Sequence, residues 1–141
     1  MGDHRFQMRL SCRYEQPDNK VTELNADNLE EGEWRALELH PQTPGFLIFV
    51  YAIFNCQHLY LRTNAAERGL LLDSARGSIE VIADEDWAIQ TLRLHFTARL
   101  KAGRASPQDV SYIVGRMEQC PVSRNLRAVA DAATSVEFAP H

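Results

Sequence analysis

The feature that most restricts how this chain can fold is the largely apolar stretch between residues 43 and 69. Residues 46–54 contain no charged side chain, and Cys56 follows them near the middle of the stretch. Roughly twenty residues is too long for an ordinary strand, so the length predicts a helix. Residues three or four apart on a helix share a face, which places Cys56 beside three aromatic or aliphatic side chains. These are Phe49, Ile53 and Tyr60.

The composition is that of an ordinary globular protein. The 141 residues are 45% hydrophobic and 24% charged, which predicts a single domain over residues 1–141 that can bury its own core. A net charge of -4 argues against nucleic acid or an anionic membrane as a partner. The apolar part of the long helix is shorter than the ~20 residues of a membrane span. Residues 1–5 lack the apolar run of a secretory signal, which predicts a cytoplasmic protein.

Alternation of apolar and polar residues predicts several strands. It is clearest at residues 6–14 and 91–100, where every second side chain is apolar. A turn at residues 16–19 then makes 20–24 the second arm of a hairpin. The acidic residues 25–33 are expected to form a loop or a short helix. Further short strands are expected at the following ranges: 34–39, 78–83 and 135–139.

A second helix is expected after the last long strand. Ser106 is a typical N-cap, Pro107 suits the first helical position and Asp109 suits the first turn. Pro121 cannot continue helical bonding, so a break is expected at Cys120, with residues 122–129 helical beyond it. Antiparallel strands with segregated helices predict an α+β fold.

The three cysteines are too few and too widely spaced for a disulfide framework. Cys12 shares the apolar face of the first strand and is expected in the core. Cys120 precedes Pro121 at an expected N-cap, where backbone N–H groups favour a thiolate, whereas the apolar neighbours of Cys56 disfavour one. His58 is expected to be a partly exposed structural residue. No local spacing of Cys and His indicates a metal site.

The segment Cys120-Pro121-Val122-Ser123 resembles the late-helix motif of the OsmC/Ohr family of organic hydroperoxide resistance proteins. That family carries a second Cys in a long buried helix, and Cys56 lies 64 positions before Cys120. The resemblance extends over the N-terminal hairpin, the long helix, the strand pair, the helix at Ser106 and the last strand.

The resemblance implies an OsmC-like α+β fold, with antiparallel sheets around a long buried central helix in an intertwined homodimer. It implies thiol-dependent reduction of organic hydroperoxides, in which Cys56 attacks the peroxide and Cys120 resolves the product. An external dithiol would restore the thiols, and no metal or organic cofactor is needed. The residues expected to contact the substrate are Phe49, Ile53 and Tyr60, whose apolar surface would favour alkyl or fatty-acid peroxides.

The sequence departs from the family at the residues that activate the attacking Cys. The family uses an Arg from the first hairpin turn, held by a Glu in an Asn-Pro-Glu segment before the long helix. Here that segment is Thr43-Pro44-Gly45, and the hairpin turn contains no Arg, so Arg13 on the preceding strand is the candidate cation. The alternative function is therefore a non-peroxidatic protein of the same fold that binds a small apolar ligand or acts as a redox sensor.

Overall fold

In the computed structural model, which describes residues 2–126 and 129–141, strands and helices form a mixed α+β fold. The elements in chain order are β1 (His4–Glu15), β2 (Lys20–Glu30), β3 (Glu33–Ala36), α1 (Gly45–Glu67), β4 (Leu72–Ala83), β5 (Ile89–Leu100), α2 (Pro107–Glu118), a 3₁₀ turn (Ser123–Leu126) and β6 (Asp131–Ala139). The strands make one sheet in the order β3-β2-β1-β4-β5-β6.

The expectation of several antiparallel sheets is wrong, because the described strands form a single mixed sheet. Neighbouring strands are antiparallel except β5 and β6, which run parallel. A parallel neighbour needs a crossover connection, and α2 lies in the one between β5 and β6.

The two faces of the sheet differ because the strands alternate. Met8, Leu10, Cys12 and Tyr14 of β1 are buried beneath the helices, together with the inward residues of β4 and β5. The intervening residues, such as Arg13, lie on the opposite face, which is mostly exposed. The helices therefore cover one face of the sheet, and the core lies between the helices and that face.

Long-range pairing extends the strands beyond their local sequence signals. β2 continues to Glu30, through acidic residues that were expected to form a loop or short helix, because these residues pair with β1 as in Leu10↔Ala26. Similarly, β4 begins at Leu72 rather than at residue 78, since its first half pairs with both β1 and β5. Pairing on both sides overrides weak local propensity.

The helix predicted within residues 43–69 spans Gly45–Glu67. Its inner face packs Val50, Ile53, Phe54 and Leu61 against the sheet with no exposed surface. Among the described helices, none is long and apolar enough to cross a membrane.

The second helix begins as predicted. Ser106 accepts a hydrogen bond from the Asp109 N–H at 3.0 Å, and the Asp109 side chain accepts one from the Ser106 N–H. The helix ends at Glu118, before the break expected at Cys120. A helix was expected over residues 122–129, but the regular structure after Pro121 is a 3₁₀ turn over Ser123–Leu126. Residues 127 and 128 of the expected helix lie outside the described residues.

Candidate functional site: a thiol pair between two helices

Cys56 and Cys120 lie against each other. Cys56 is on α1, Cys120 follows the end of α2, and the two thiols are close enough for Cys120 to raise the pKa of Cys56. Cys56 is partly exposed, whereas Cys120 is fully buried, and both are free cysteines. The packing of α1 against α2 thus makes one site from two thiols that are distant in the sequence.

A single backbone turn holds both sulfur atoms. The Ser123 N–H donates a hydrogen bond to Cys120 Sγ at 3.3 Å, and the Val122 N–H is close enough to Cys56 to lower its pKa. Pro121 directly precedes this turn, and the Arg124 N–H donates to the Cys120 carbonyl at 2.9 Å. Backbone N–H groups stabilise a thiolate by hydrogen bonding.

The surroundings of Cys56 favour the neutral thiol. Burial raises the pKa of Cys56 above its ordinary value of 9.0, and the contact with Cys120 raises it further, while the Val122 N–H lowers it. No cation among the described residues contributes to lowering the pKa of Cys56. The backbone turn is therefore the only group that acts here in favour of the Cys56 thiolate among the residues that the structure describes.

Gln57, beside Cys56 on α1, ties the thiol-bearing turn to the rest of the fold. Its Nε2 donates to Ser123 Oγ at 2.8 Å, and its Oε1 accepts from Thr134 Oγ1 of β6 at 3.0 Å. The side chain is only 2% exposed. Sequence reasoning missed this residue, although an amide on the apolar inner face of a helix signals a buried polar contact.

Among the described residues, neither Arg13 nor Thr43 is placed beside the Cys56 thiol as the family's activating Arg and Glu would be. Arg13 lies on the exposed face of β1, whereas its neighbours Cys12 and Tyr14 are buried beneath α1, so Arg13 faces away from the two thiols of its own chain and its catalytic role stays a prediction. Before α1, the Thr43 hydroxyl accepts a hydrogen bond from the His40 N–H at 2.9 Å. Thr43 therefore shapes the loop that enters the helix and offers no carboxylate.

A second polar cluster lies under α1, on the sheet side. The Tyr14 hydroxyl is 2.6 Å from His58 Nε2, and Cys12 Sγ is 3.4 Å from the same nitrogen. Burial and the nearby Arg62 guanidinium lower the pKa of His58 to about 4. The expectation that His58 is partly exposed is wrong, because α1 turns it towards β1, where it is fully buried.

The residues predicted to bind substrate are distributed over α1. Phe49 lines a cavity of ≈ 550 Å³ together with Phe46, Trp87 and Leu126. Tyr60 is half-buried, and Ile53 has no exposed surface, which places Ile53 in the core rather than in a pocket wall.

The part of the chain that the structure describes contains no cluster of three or more His, Cys, Asp and Glu side chains able to hold a metal ion. The polar groups near the two thiols are instead Gln57, Ser123 and Thr134, which bond to one another. The arrangement can support thiol chemistry without a metal ligand set.

Solved structures share this arrangement of strands and helices, although no protein-family profile and no curated protein sequence matches the chain. An OsmC-like hydroperoxide resistance protein from a Jannaschia species superposes with a TM-score of 0.60 at 11% identity, over 89% of this chain and 88% of that one. An OsmC-like protein from Mycoplasma pneumoniae gives a TM-score of 0.54 at 11% identity, over 83% of this chain and 89% of that one. The chain therefore has the OsmC-like fold, which confirms the resemblance at the level of the fold.

Proposed function

We propose that this protein reduces organic hydroperoxides with Cys56 as the attacking thiol and Cys120 as the resolving thiol. The observation that carries the proposal is the closeness of the Cys56 thiol on α1 to the Cys120 thiol, which the Ser123 N–H holds after α2. The partly exposed sulfur of Cys56 suits the group that meets a substrate, and the buried sulfur of Cys120 suits the group that acts afterwards. The fold shared with a hydroperoxide resistance protein supports the same role.

The reaction proceeds in three balanced steps. The Cys56 thiolate attacks the terminal peroxide oxygen, the O–O bond breaks, and the alkoxide takes up a proton and leaves as an alcohol, which oxidises Cys56 to a sulfenic acid. The Cys120 sulfur then attacks the Cys56 sulfur, and the hydroxyl group leaves as water as the disulfide forms. An external dithiol reduces that disulfide by thiol–disulfide exchange and restores both thiols.

The thiolate of Cys56 is stabilised by the Val122 N–H in place of the family's Arg and Glu. A backbone amide carries no net charge, so it stabilises the thiolate less than a guanidinium at the same distance. The fraction of Cys56 that is ionised at neutral pH is then small, and peroxide reduction is slow unless the pH is raised.

The apolar part of the substrate is expected in the cavity beside Phe49. Phe49 lies seven residues before Cys56 on the same side of α1, about 10 Å along the helix axis. Aromatic side chains from Phe46 and Trp87 line the same cavity, whose volume of ≈ 550 Å³ suits an alkyl or aryl chain. Tyr60, one turn beyond Cys56, would contact the substrate from the other side.

A second copy of the chain is the proposed partner, because the outer side of α1 is apolar and uncovered. Ile48 and Leu59 are 40% and 41% exposed on this helix. Large apolar side chains that are exposed together on one side of a helix are typical of an interaction surface. Packing two α1 helices together would cover this surface in an intertwined homodimer. We place the protein in the cytoplasm, where dithiol reductants are available.

Replacing each cysteine with serine tests the proposed roles. With cumene hydroperoxide and a dithiol, the wild type should consume peroxide, whereas Cys56→Ser should not. Cys120→Ser should accumulate a sulfenic acid on Cys56, detected by a sulfenic-acid trap and mass spectrometry. Sulfenic acid on the Cys56→Ser protein, and none on Cys120→Ser, would reverse the two roles.

A redox sensor is the second candidate, and the partly exposed free thiol of Cys56 next to the buried thiol of Cys120 is the observation that favours it. A sensor would form the Cys56–Cys120 disulfide once per chain but would not turn over peroxide rapidly when a dithiol is supplied. Steady-state peroxide consumption therefore separates the two functions. Thiols that stay unchanged under peroxide would contradict both.

A further inference from the structure

We infer that Gln57 is a positioning residue that holds the Cys120 segment in place for disulfide formation with Cys56. The inference rests on the proposed thiol pair and adds a residue that neither sulfur chemistry nor the cysteine spacing indicates. The Gln57 side chain forms its hydrogen bonds with Ser123 and Thr134 and not with either sulfur, so it acts on Cys120 through Ser123.

The contacts form a chain of hydrogen bonds that ends at the resolving sulfur. Thr134 Oγ1 of β6 donates to Gln57 Oε1, and Gln57 Nε2 donates to Ser123 Oγ. The Ser123 N–H in turn donates to Cys120 Sγ. One amide side chain on α1 thus connects β6 to the turn that follows Cys120.

The position of Gln57 makes this connection rigid and specific. Gln57 follows Cys56 directly on a regular helix, so the distance between its Cα and that of Cys56 is set by the helix geometry. Because the side chain is 98% removed from solvent, water cannot readily replace Ser123 as its partner. The turn is therefore tied to the same helical segment that carries the attacking thiol.

Among the described residues, the Gln57–Ser123 bond is the only side-chain hydrogen bond that joins the segment after Cys120 to α1. This segment is a short 3₁₀ turn of four residues and buries no side chain completely. Without the amide, Ser123 would lose its bond to α1, and the turn would sample positions in which Cys120 is misaligned with Cys56. Ring closure between two sulfurs depends steeply on such alignment.

A two-step reaction with 5,5′-dithiobis(2-nitrobenzoate) measures this closure without any peroxide. The partly exposed Cys56 first forms a mixed disulfide and releases one thionitrobenzoate anion. The Cys120 thiolate then attacks the Cys56 sulfur, the mixed S–S bond breaks, and a second anion leaves as the Cys56–Cys120 disulfide forms. The rate of the second release reports the positioning of the two sulfurs.

Gln57→Met has nearly the same side-chain volume but makes neither hydrogen bond. We expect the second release to slow at least about tenfold, with the first release little changed. Gln57→Glu can still accept a hydrogen bond from Ser123 Oγ and from Thr134, so it should recover part of the rate. An unchanged second rate in Gln57→Met would overturn the inference.

Asn64→Leu is the matched control. Asn64 is a buried amide on the same helix, 3% exposed, but it bonds to Arg116 of α2 and the Tyr60 carbonyl rather than to the thiol-bearing turn. The second release should keep its wild-type rate in this variant, and an equal slowing would reduce the effect of Gln57 to general stability. Peroxide consumption, measured separately on the wild type, tests the proposed function, since closure can be normal in a protein that reduces no peroxide.

Discussion

At the scale of single residues, Cys56 and His58 lie on opposite sides of α1 in different chemical surroundings. Cys56 faces another thiol and the Val122 amide, while His58 faces the Tyr14 hydroxyl and Cys12 across the helix–sheet interface. Two residues on a helix differ by about 200° in direction, which separates the two groups completely. The thiol pair and the buried histidine should therefore respond to pH independently.

The rate of Cys56 oxidation should rise with pH and still be rising at pH 9.0. Only the thiolate attacks peroxide, and the pKa of Cys56 is raised above 9.0 by burial and by Cys120. Below that pKa the ionised fraction grows about tenfold per pH unit. Sulfenic acid formation on the Cys120→Ser variant, timed by rapid quenching across this range, gives the profile. A plateau near neutral pH would mean that a cation stabilises the thiolate.

Stability should fall as the pH drops through the range set by His58. The pKa of His58 is lowered from 6.5 to about 4 in the folded protein, so the unfolded chain binds a proton that the folded chain does not. The stabilisation is present above pH 6.5 and is lost as the pH falls towards 4, with a limit of about 3 kcal/mol.

Urea unfolding of the wild type and of His58→Gln, at about pH 7 and about pH 5, isolates this effect from the carboxylates. His58→Gln removes the titrating group, so its stability should change less between the two pH values. Equal changes in the two proteins would contradict the assignment.

At the scale of elements, the fit of α1 on the sheet depends on a glycine in β4. Gly77 lies opposite Phe96 of β5, and a Cβ at Gly77 would come within 2.5 Å of the Phe96 ring and 3.2 Å of the Phe54 ring. The two rings, whose centroids are 5.6 Å apart, therefore occupy the space that a side chain would need. This close approach brings α1 down onto β4 and β5.

Gly77→Ala should lower the free energy of unfolding by about 1 to 3 kcal/mol, since the added methyl group forces the buried rings to move. Gly115→Ala is the control, because a Cβ there meets nothing within 4 Å on α2. That change should instead stabilise the protein by about 0.5 to 1 kcal/mol through helix propensity. Denaturant unfolding measures both, and a neutral Gly77→Ala would show that the Phe96 ring can move freely.

At the scale of the whole molecule, the sheet has one covered and one polar face, and α1 has a side that neither the sheet nor α2 covers. On this side of α1, the large apolar side chains of Ile48 and Leu59 are exposed to solvent. A second copy of the chain would bury them and would also enclose the partly exposed Cys56 sulfur. Dimer formation and access to the thiol pair are then linked.

If the proposed homodimer forms through α1, Ile48→Glu combined with Leu59→Glu should yield a monomer, because two carboxylates would be desolvated in the interface. Sedimentation velocity measures the change in mass. Ser78→Glu, which adds a charge to the exposed polar face of the sheet, should leave the mass unchanged. A wild type that sediments as a monomer at high concentration would exclude the homodimer.

Local patterns in the sequence predict most of the helices and strands and show which of their faces are apolar. Period-two alternation in β1 and β5, the length of the apolar stretch in α1 and the Ser106 capping box each depend on residues close together in the chain. The resemblance of Cys120-Pro121-Val122-Ser123 to a motif of the OsmC/Ohr family predicted the OsmC-like fold. These signals are local, so they were readable without any knowledge of packing.

Contacts between elements that are distant in the chain determine which groups surround each side chain. His58 lies in the core, Arg13 lies on the exposed face of the sheet, and Gln57 lies between Ser123 and Thr134. In addition, β6 pairs in parallel with β5. Each of these depends on contacts between elements distant in the chain, and periodicity shows that a face is buried but not what it is buried against. The contact between Cys56 and Cys120 is of this kind.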